Sequence, residues 1–256
     1  MNEIQHSIST SVAALAALIR NCDAVDLAPI LSTNMARWST HPDFAVIPNA
    51  RNFEQNGYFL QTLIMPEHVG CHVDVPAHFH RSMSDRTMDT FAPDCVMGPA
   101  KKLDVSGLDL APGVLLTLGQ FEAALKVAGH TIEAGDVVIF EFGWDKNLPA
   151  GQAGRDRDWW GKNNPGLSAE VCEYLAERHV KAVGADTASV DLGQRDGETT
   201  ADHGHRTYFL PNLILIVEGL HNLAAVPASF YFIALPLNIE HGSGSPLRPI
   251  ALVPRA

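Results

Sequence analysis

The sequence predicts a single α/β domain in which helices and short strands are mixed, and three observations lead there. The chain has 256 residues, 46% of them hydrophobic and 18% charged, which is ordinary globular composition with material for one sizeable core. Short apolar runs rich in β-branched and aromatic residues alternate with stretches of helical periodicity. No repeat, low-complexity block or linker interrupts residues 1–256.

Taken in order, Ser9 or Ser11 is placed to cap a first helix running to about residue 21, because Val12, Leu15, Ala16 and Ile19 recur at helical spacing. A second helix is expected over residues 118–128, with Phe121, Leu125 and Ala128 on one stripe and Gly129 as its stop. A third starts from Ser168 and carries Val171, Leu175 and Ala176 to about His179. Residues 137–142, 213–217, 230–235 and 250–253 read as strands. Two polar stretches, 31–56 and 143–166, fit neither pattern; loops of that length are either plain surface excursions or binding surfaces.

Bulk properties narrow the function. The 29 acidic residues outnumber 18 basic ones, for a formal charge of -11. That balance argues against nucleic acid, which needs a basic face, and against an anionic membrane surface. No apolar run is long enough to span a bilayer. The stretch Val12 to Ala17 is too short and too poorly flanked for a secretory signal. Cys22, Cys71, Cys95 and Cys172 show no paired spacing, as expected of free thiols in a reducing compartment. The expectation is a cytoplasmic protein acting on a small molecule.

The informative segment is His68-Val-Gly-Cys-His-Val-Asp-Val-Pro-Ala-His78. Its polar members, His68, His72, Asp74 and His78, all occupy even positions, while Val69, Cys71, Val73 and Val75 alternate with them. In an extended segment the two sets face opposite sides. Four residues of flat strand separate His68 from His72 by roughly 13 Å, too far for easy convergence on one ion. Gly70 is where a bulge would shorten that distance, and Pro76 ends the strand and turns His78 back. Imidazole nitrogen with carboxylate oxygen suits zinc, manganese or ferrous iron, and three ligands leave positions open for water or substrate. The plain alternative is a histidine-rich surface loop with His80 as a further exposed member.

This segment resembles the HxGTHxDxPxH motif of the cyclase family, which includes isatin hydrolase and bacterial kynurenine formamidase. Further matches follow in family order: Gly143-Trp144-Asp145-Lys146, Gly184-Ala185-Asp186-Thr187-Ala188-Ser189-Val190-Asp191, His205, Glu218-Gly219-Leu220, and Gly242-Ser243-Gly244-Ser245-Pro246. The resemblance implies a mixed β-sheet or barrel-like core flanked by helices, of the swivelling β/α/β kind, assembled as a homodimer. It implies hydrolysis of an aryl formamide or lactam ring by a metal-activated water, with a lactone hydrolase or a non-catalytic metal-binding protein as the alternatives. His68, His72 and Asp74 would then be metal ligands and His78 the proton carrier. His205 and Glu218 match a pair that holds a second zinc in the formamidases, whereas the isatin hydrolases lack the acid and bind one manganese. One or two ions of Zn2+ or Mn2+ per chain are therefore expected.

Other features carry less. Cys71 stands where the family has threonine; it reads as a buried filler unless the strand bends enough to make it a thiolate ligand. His203 competes with His205 for the same role. Asp186 and Asp191 fit turn-ordering better than metal binding. Trp144, Trp159 and Trp160 are candidates for the walls of an aromatic substrate pocket. The glycine-serine stretch near residue 242 lacks the ending of a phosphate loop, and no Gly-x-Ser-x-Gly elbow occurs.

Overall fold

The run Val137–Glu141 forms a strand buried along its whole length, as a continuous apolar stretch does in the parallel middle of a sheet. The computed structural model describes residues 2–148 and 156–255, without the side chains of residues 2–10 and 48–50, so the expected cap at Ser9 and the middle of the 143–166 stretch lie outside the described residues. In chain order the elements are α1 (Asn2–Arg20), β1 (Cys22–Asp26), β2 (Ala45–Arg51), α2 (Phe53–Asn56), β3 (Leu60–Ile64), β4 (His72–Asp74), β5 (Gly98–Asp104), β6 (Leu115–Leu116), α3 (Leu118–Ala128), β7 (Val137–Glu141), α4 (Arg157–Lys162), β8 (Gly166–Leu167), α5 (Ala169–Glu177), β9 (Ala182–Ala185), β10 (Gln194–Arg195), β11 (Glu198–Thr199), β12 (Leu215–Glu218), β13 (Ser229–Ile233), β14 (Gly244–Pro246) and β15 (Ile250–Pro254).

Nine strands form one mixed sheet in the order β1-β15-β13-β5-β7-β9-β12-β4-β14. Strands β5, β7, β9 and β12 run parallel, and the pairings outside that block are antiparallel. The sheet curls into a half-barrel, so the expected α/β class with a barrel-like core is what the chain adopts.

Two apolar clusters sit on the two faces, and the period-two alternation of the strands sorts residues between them. Val138 and Phe140 join Phe121, Leu125, Val171 and Leu175 of α3 and α5. Val137 and Ile139 join Val73, Val217, Phe230 and Phe232 in the second cluster. Each such large side chain, fully buried, contributes about 1.5–3 kcal/mol. Helix α3 begins with a reciprocal cap between Thr117 and Gln120 and stops at Gly129, whose φ of 67° suits glycine.

The structure moves several expected boundaries. Helix α1 starts earlier than Ser9, and α5 ends at Glu177, before the positive φ of His179. Leu213 takes a left-handed turn (φ 61°), so the expected strand at 213 begins at Leu215. The 31–56 stretch contains β2, which pairs with β3 around an irregular register, and α2.

Candidate metal centre

Strand β4 brings the site together because it lies between β12 and β14. Its register sets His72 opposite Glu218 on one side and Pro246 on the other, and Asp74 opposite Gly244. The expected strand from His68 is not regular: Gly70, at φ 62°, turns the chain, and a Cβ there would meet Leu31 Cδ2 at 2.7 Å. That bend brings the rings of His68 and His72 to 5.1 Å between centroids, which a flat strand could not do. Val69, Cys71, Val73 and Val75 are buried away from the site, as the alternation predicts. Cys71 packs in the second apolar cluster, and burial pushes its thiol up, so the bend does not make it a thiolate ligand.

Pro76 opens a short 3-10 turn, Pro76–His78, that folds His78 back until its ring stacks on His68 at 3.9 Å. His205 arrives from a five-residue π-helical turn, Gly204–Tyr208, and His203 stands at that turn's start, half-buried. Of the two histidines, it is His205 that reaches the centre.

Asp74 is the hub. Its Oδ1 lies 2.7 Å from His68 Nδ1 and 3.5 Å from His72 Nε2, while Oδ2 lies 3.2 Å from His205 Nε2. Glu218 completes the ring, with Oε2 3.5 Å from His72 Nε2 and Oε1 3.5 Å from His205 Nε2. Ligand-type atoms of His68, Asp74 and His78, and of His72, Asp74 and Glu218, each lie within 4.8 Å of one another. Asp74 is common to both groups, which join it to His68 in one and to His72 in the other, and His78 lies beside the first.

Each of three imidazoles has one nitrogen held from outside, which turns the other inward. His72 Nδ1 donates to Gly70 O at 3.0 Å, and His205 Nδ1 donates to Asp191 Oδ1 at 2.5 Å. Ser243 donates its hydroxyl hydrogen to Glu67 at 2.5 Å, so its oxygen accepts from His68 Nε2 at 2.9 Å. The other nitrogen of that ring, Nδ1, faces Asp74 Oδ1 at 2.7 Å. Gly244 makes room for this: a Cβ there would lie 2.6 Å from His68 Cε1. His80, which the surface-loop alternative would expose, is half-buried and donates to the His205 carbonyl at 2.7 Å.

The electrostatics are those of a site built for positive charge. Burial would raise the Asp74 carboxyl, but His68 and His205 outweigh it and hold it well below the usual range. Burial would lower His72, yet its bond to Glu218 and the charge of Asp74 lift it to about 9. His205 is held well above its usual value, against burial, by Asp191 and Asp74. Glu218 is raised by burial and by the charge of Asp74. Burial and the neighbouring imidazoles bring His78 down to about 4, against the pull of Asp74. Protons on His72 and His205 stand where a cation's charge would otherwise balance the acids. The donor set of imidazole nitrogens and carboxylate oxygens fits zinc or manganese.

The cluster opens into a cavity of about 970 Å³. Met35, Trp38, Phe79, Leu148, Trp160 and Leu192 give it apolar walls. Residues of both polar stretches line it. Of the three expected tryptophans only Trp160 lines the cavity; Trp144 and Trp159 stack on each other at 5.6 Å outside its lining. Asp186 accepts from the Phe142 and Trp144 amides at 2.8 and 2.7 Å, the turn-ordering role expected of it, whereas Asp191 reaches 14 residues ahead to His205.

The family model described as "Putative cyclase" matches residues 25–192. The chain belongs to the cyclase family. Among relatives of this cyclase-family chain, isatin hydrolase from Roseibium aggregatum is 30% identical over 246 residues, covering 91% of this chain and 93% of its own. Kynurenine formamidase from Bacillus cereus is 24% identical over 237 residues, covering 91% and 98%. A solved isatin hydrolase bound to the product analogue thioisatinate superposes with a TM-score of 0.82 at 25% identity, covering 98% of this cyclase-family chain and 99% of its own. Isatin hydrolase A from Ralstonia solanacearum gives 0.81 at 29% identity, covering 94% and 97%.

Proposed function

We propose that the protein is a metal-dependent hydrolase that cleaves the carbon–nitrogen bond of a cyclic amide or aryl formamide. The observation that carries this reading is Asp74, whose two oxygens face different histidines at the floor of an apolar-walled cavity. The names of both groups of relatives point to the same bond class. His68, His72, Asp74, His205 and Glu218 would hold one or two divalent cations, zinc or manganese. A bound cation supplies Lewis acidity, acidifying water and polarising a carbonyl.

The chain's own residues supply the rest. His78, whose ring stacks on His68 at 3.9 Å, is the imidazole beside the centre that can move a proton. Folded against His68, it is placed to take that proton from the attacking water and return it to the leaving nitrogen. The apolar wall from Trp38, Phe79 and Trp160 excludes water and receives an aromatic ring. Ser243, Gly70 and Asp191 keep the imidazoles aimed.

A homodimer is part of this reading. The β2–β3 hairpin exposes Ile47, Phe53, Phe59, Leu60, Leu63 and Ile64, an apolar surface of the kind a second copy covers. Four unpaired cysteines support a cytoplasmic location. Among the described residues no helix is long and apolar enough to cross a membrane.

Protein loaded with zinc or manganese, assayed on a panel of formamides, lactams and lactones, tests the reaction class. Turnover of amides above lactones is expected. Turnover of lactones alone would move the reading to ester chemistry, and no turnover with full metal occupancy would reduce it to metal binding.

A further inference from the structure

The cavity contains a second ionisable pair that the hydrolytic reading does not use. Asp145 follows Gly143, whose left-handed φ of 66° starts the short turn Trp144–Asn147. The Asp186 carboxylate grips the amides on both sides of that glycine. The turn so fixed places Asp145 Oδ2 3.0 Å from His221 Nδ1 and 3.2 Å from the Asn222 amide. His221 is itself pinned through its backbone, its amide donating to Leu27 O at 2.8 Å. Asp145, His221 and Asn222 line the same cavity as the metal centre.

His221 Nδ1 is buried against the Asp145 carboxylate, close enough for ion pairing but not aligned as a hydrogen bond, so Nε2 is the nitrogen left to offer, and among the described residues none hydrogen-bonds it. Its side chain is 42% exposed, towards the cavity it lines. The Asp145 carboxylate beside Nδ1 raises the imidazole against partial burial, with smaller help from the charges of Asp186 and Asp26, which favours the form that keeps a hydrogen on Nε2. The other cation of the wall, Arg37, is already occupied by Asp43 and by the Trp38 and Ser39 carbonyls. His221 lies three residues after Glu218, at most about 11 Å away along the chain. One substituted aryl molecule can reach both the centre and this imidazole.

We propose that His221, oriented by Asp145, is a substrate-binding residue whose Nε2–H donates to a carboxylate oxygen on an aryl substrate or product. Asp145 is the positioning residue. The proposal rests on the hydrolase reading for its substrate class, since an aryl amide or formamide that carries a carboxylate on its ring brings such an oxygen into the cavity. Among mostly apolar walls, one oriented donor decides which substituted rings are held.

The test uses metal-loaded protein and two readouts. Calorimetric titration with anthranilate, an unreactive aryl carboxylate, compares wild type with His221→Phe, which keeps a ring and loses the donor, and His221→Gln, which keeps a donor. Phe should weaken binding about tenfold or more, and Gln should restore part of it, as expected for a hydrogen bond to a charged group. Steady-state kinetics then compare N-formylanthranilate with formanilide, which lacks the carboxylate. In His221→Phe, KM should rise about tenfold for the first with kcat little changed, and neither should change for the second. Asp145→Asn should shift the alkaline limb of anthranilate binding to lower pH, which mere loosening of the turn would not do. Equal affinity in wild type and His221→Phe, no binding at all, or an equal KM rise for both formamides would overturn the proposal. If wild type turns over neither formamide, the hydrolase reading fails, and the anthranilate titration still decides the role of His221.

Discussion

Raising the pH from about 6.5 to 8.5 should tighten the binding of zinc or manganese to the metal-free protein steeply. His72 must give up its Nε2 proton to become a ligand, and that proton is held with a pKa of about 9. At pH 7, two units lower, only about 1% of the rings carry the free lone pair, a penalty of roughly 100-fold, or about 3 kcal/mol. The penalty should shrink tenfold per pH unit until the pH approaches 9. His205, also held above its usual value, adds a second displaced proton and steepens the slope. Calorimetry in buffers of different ionisation enthalpy counts those protons directly, and a chelator competition gives the affinity. The logarithm of the association constant should climb with a slope between about one and two. A flat profile with no proton release would refute the reasoning, because it would mean that the acids around Asp74 do not hold protons on the imidazoles.

The same shifts predict stability without metal: a histidine raised above 6.5 to about 9 contributes stability fully present below pH 6.5 and lost as pH rises towards 9, so the metal-free protein should melt at lower temperature in alkaline buffer. His72→Ala should lose metal and activity together, whereas His78→Ala should keep metal and lose about 10²–10⁴-fold in kcat; metal loss in the latter would make His78 a ligand. Asp191→Ala and Ser243→Ala, which release His205 and His68 from outside, should each weaken metal affinity by about 10–100-fold with the fold intact by circular dichroism. If two cations bind at saturation, Glu218→Ala should bring elemental analysis down to one.

The sequence made the ligating segment legible because alternation is a local signal. Even and odd positions from His68 to His78 part company whatever the rest of the chain does. Helix α3 was legible for the same reason, with its stripe inside eleven residues and its glycine stop directly after them. What stayed hidden depends on register between distant strands. Ser243 reaches His68 across 175 residues, and Asp191 reaches His205 across 14 from a segment that reads as a turn. A lone serine or aspartate carries no periodicity, so only the β14–β4–β12 pairing reveals its use. Gly70 suggested a bulge, but not that the regular strand would shrink to three residues. Trp38 and the β2–β3 hairpin were lost in a polar stretch, where Pro48 and Asn49 mask the strand pattern.

The position of β4 has a consequence for how the chain reaches its native state. Its two neighbours in the sheet, β12 and β14, begin 141 and 170 residues after its own last residue, Asp74. Contacts this remote close late, since the entropy of joining distant segments is lost before their pairing compensates for it. The centre therefore has little form in early collapsed states, and a nascent chain released before Gly244 lacks the partner of Asp74 on one edge. An ion arriving afterwards ties together segments that the backbone joins only through long detours, so it should slow unfolding more than it speeds folding.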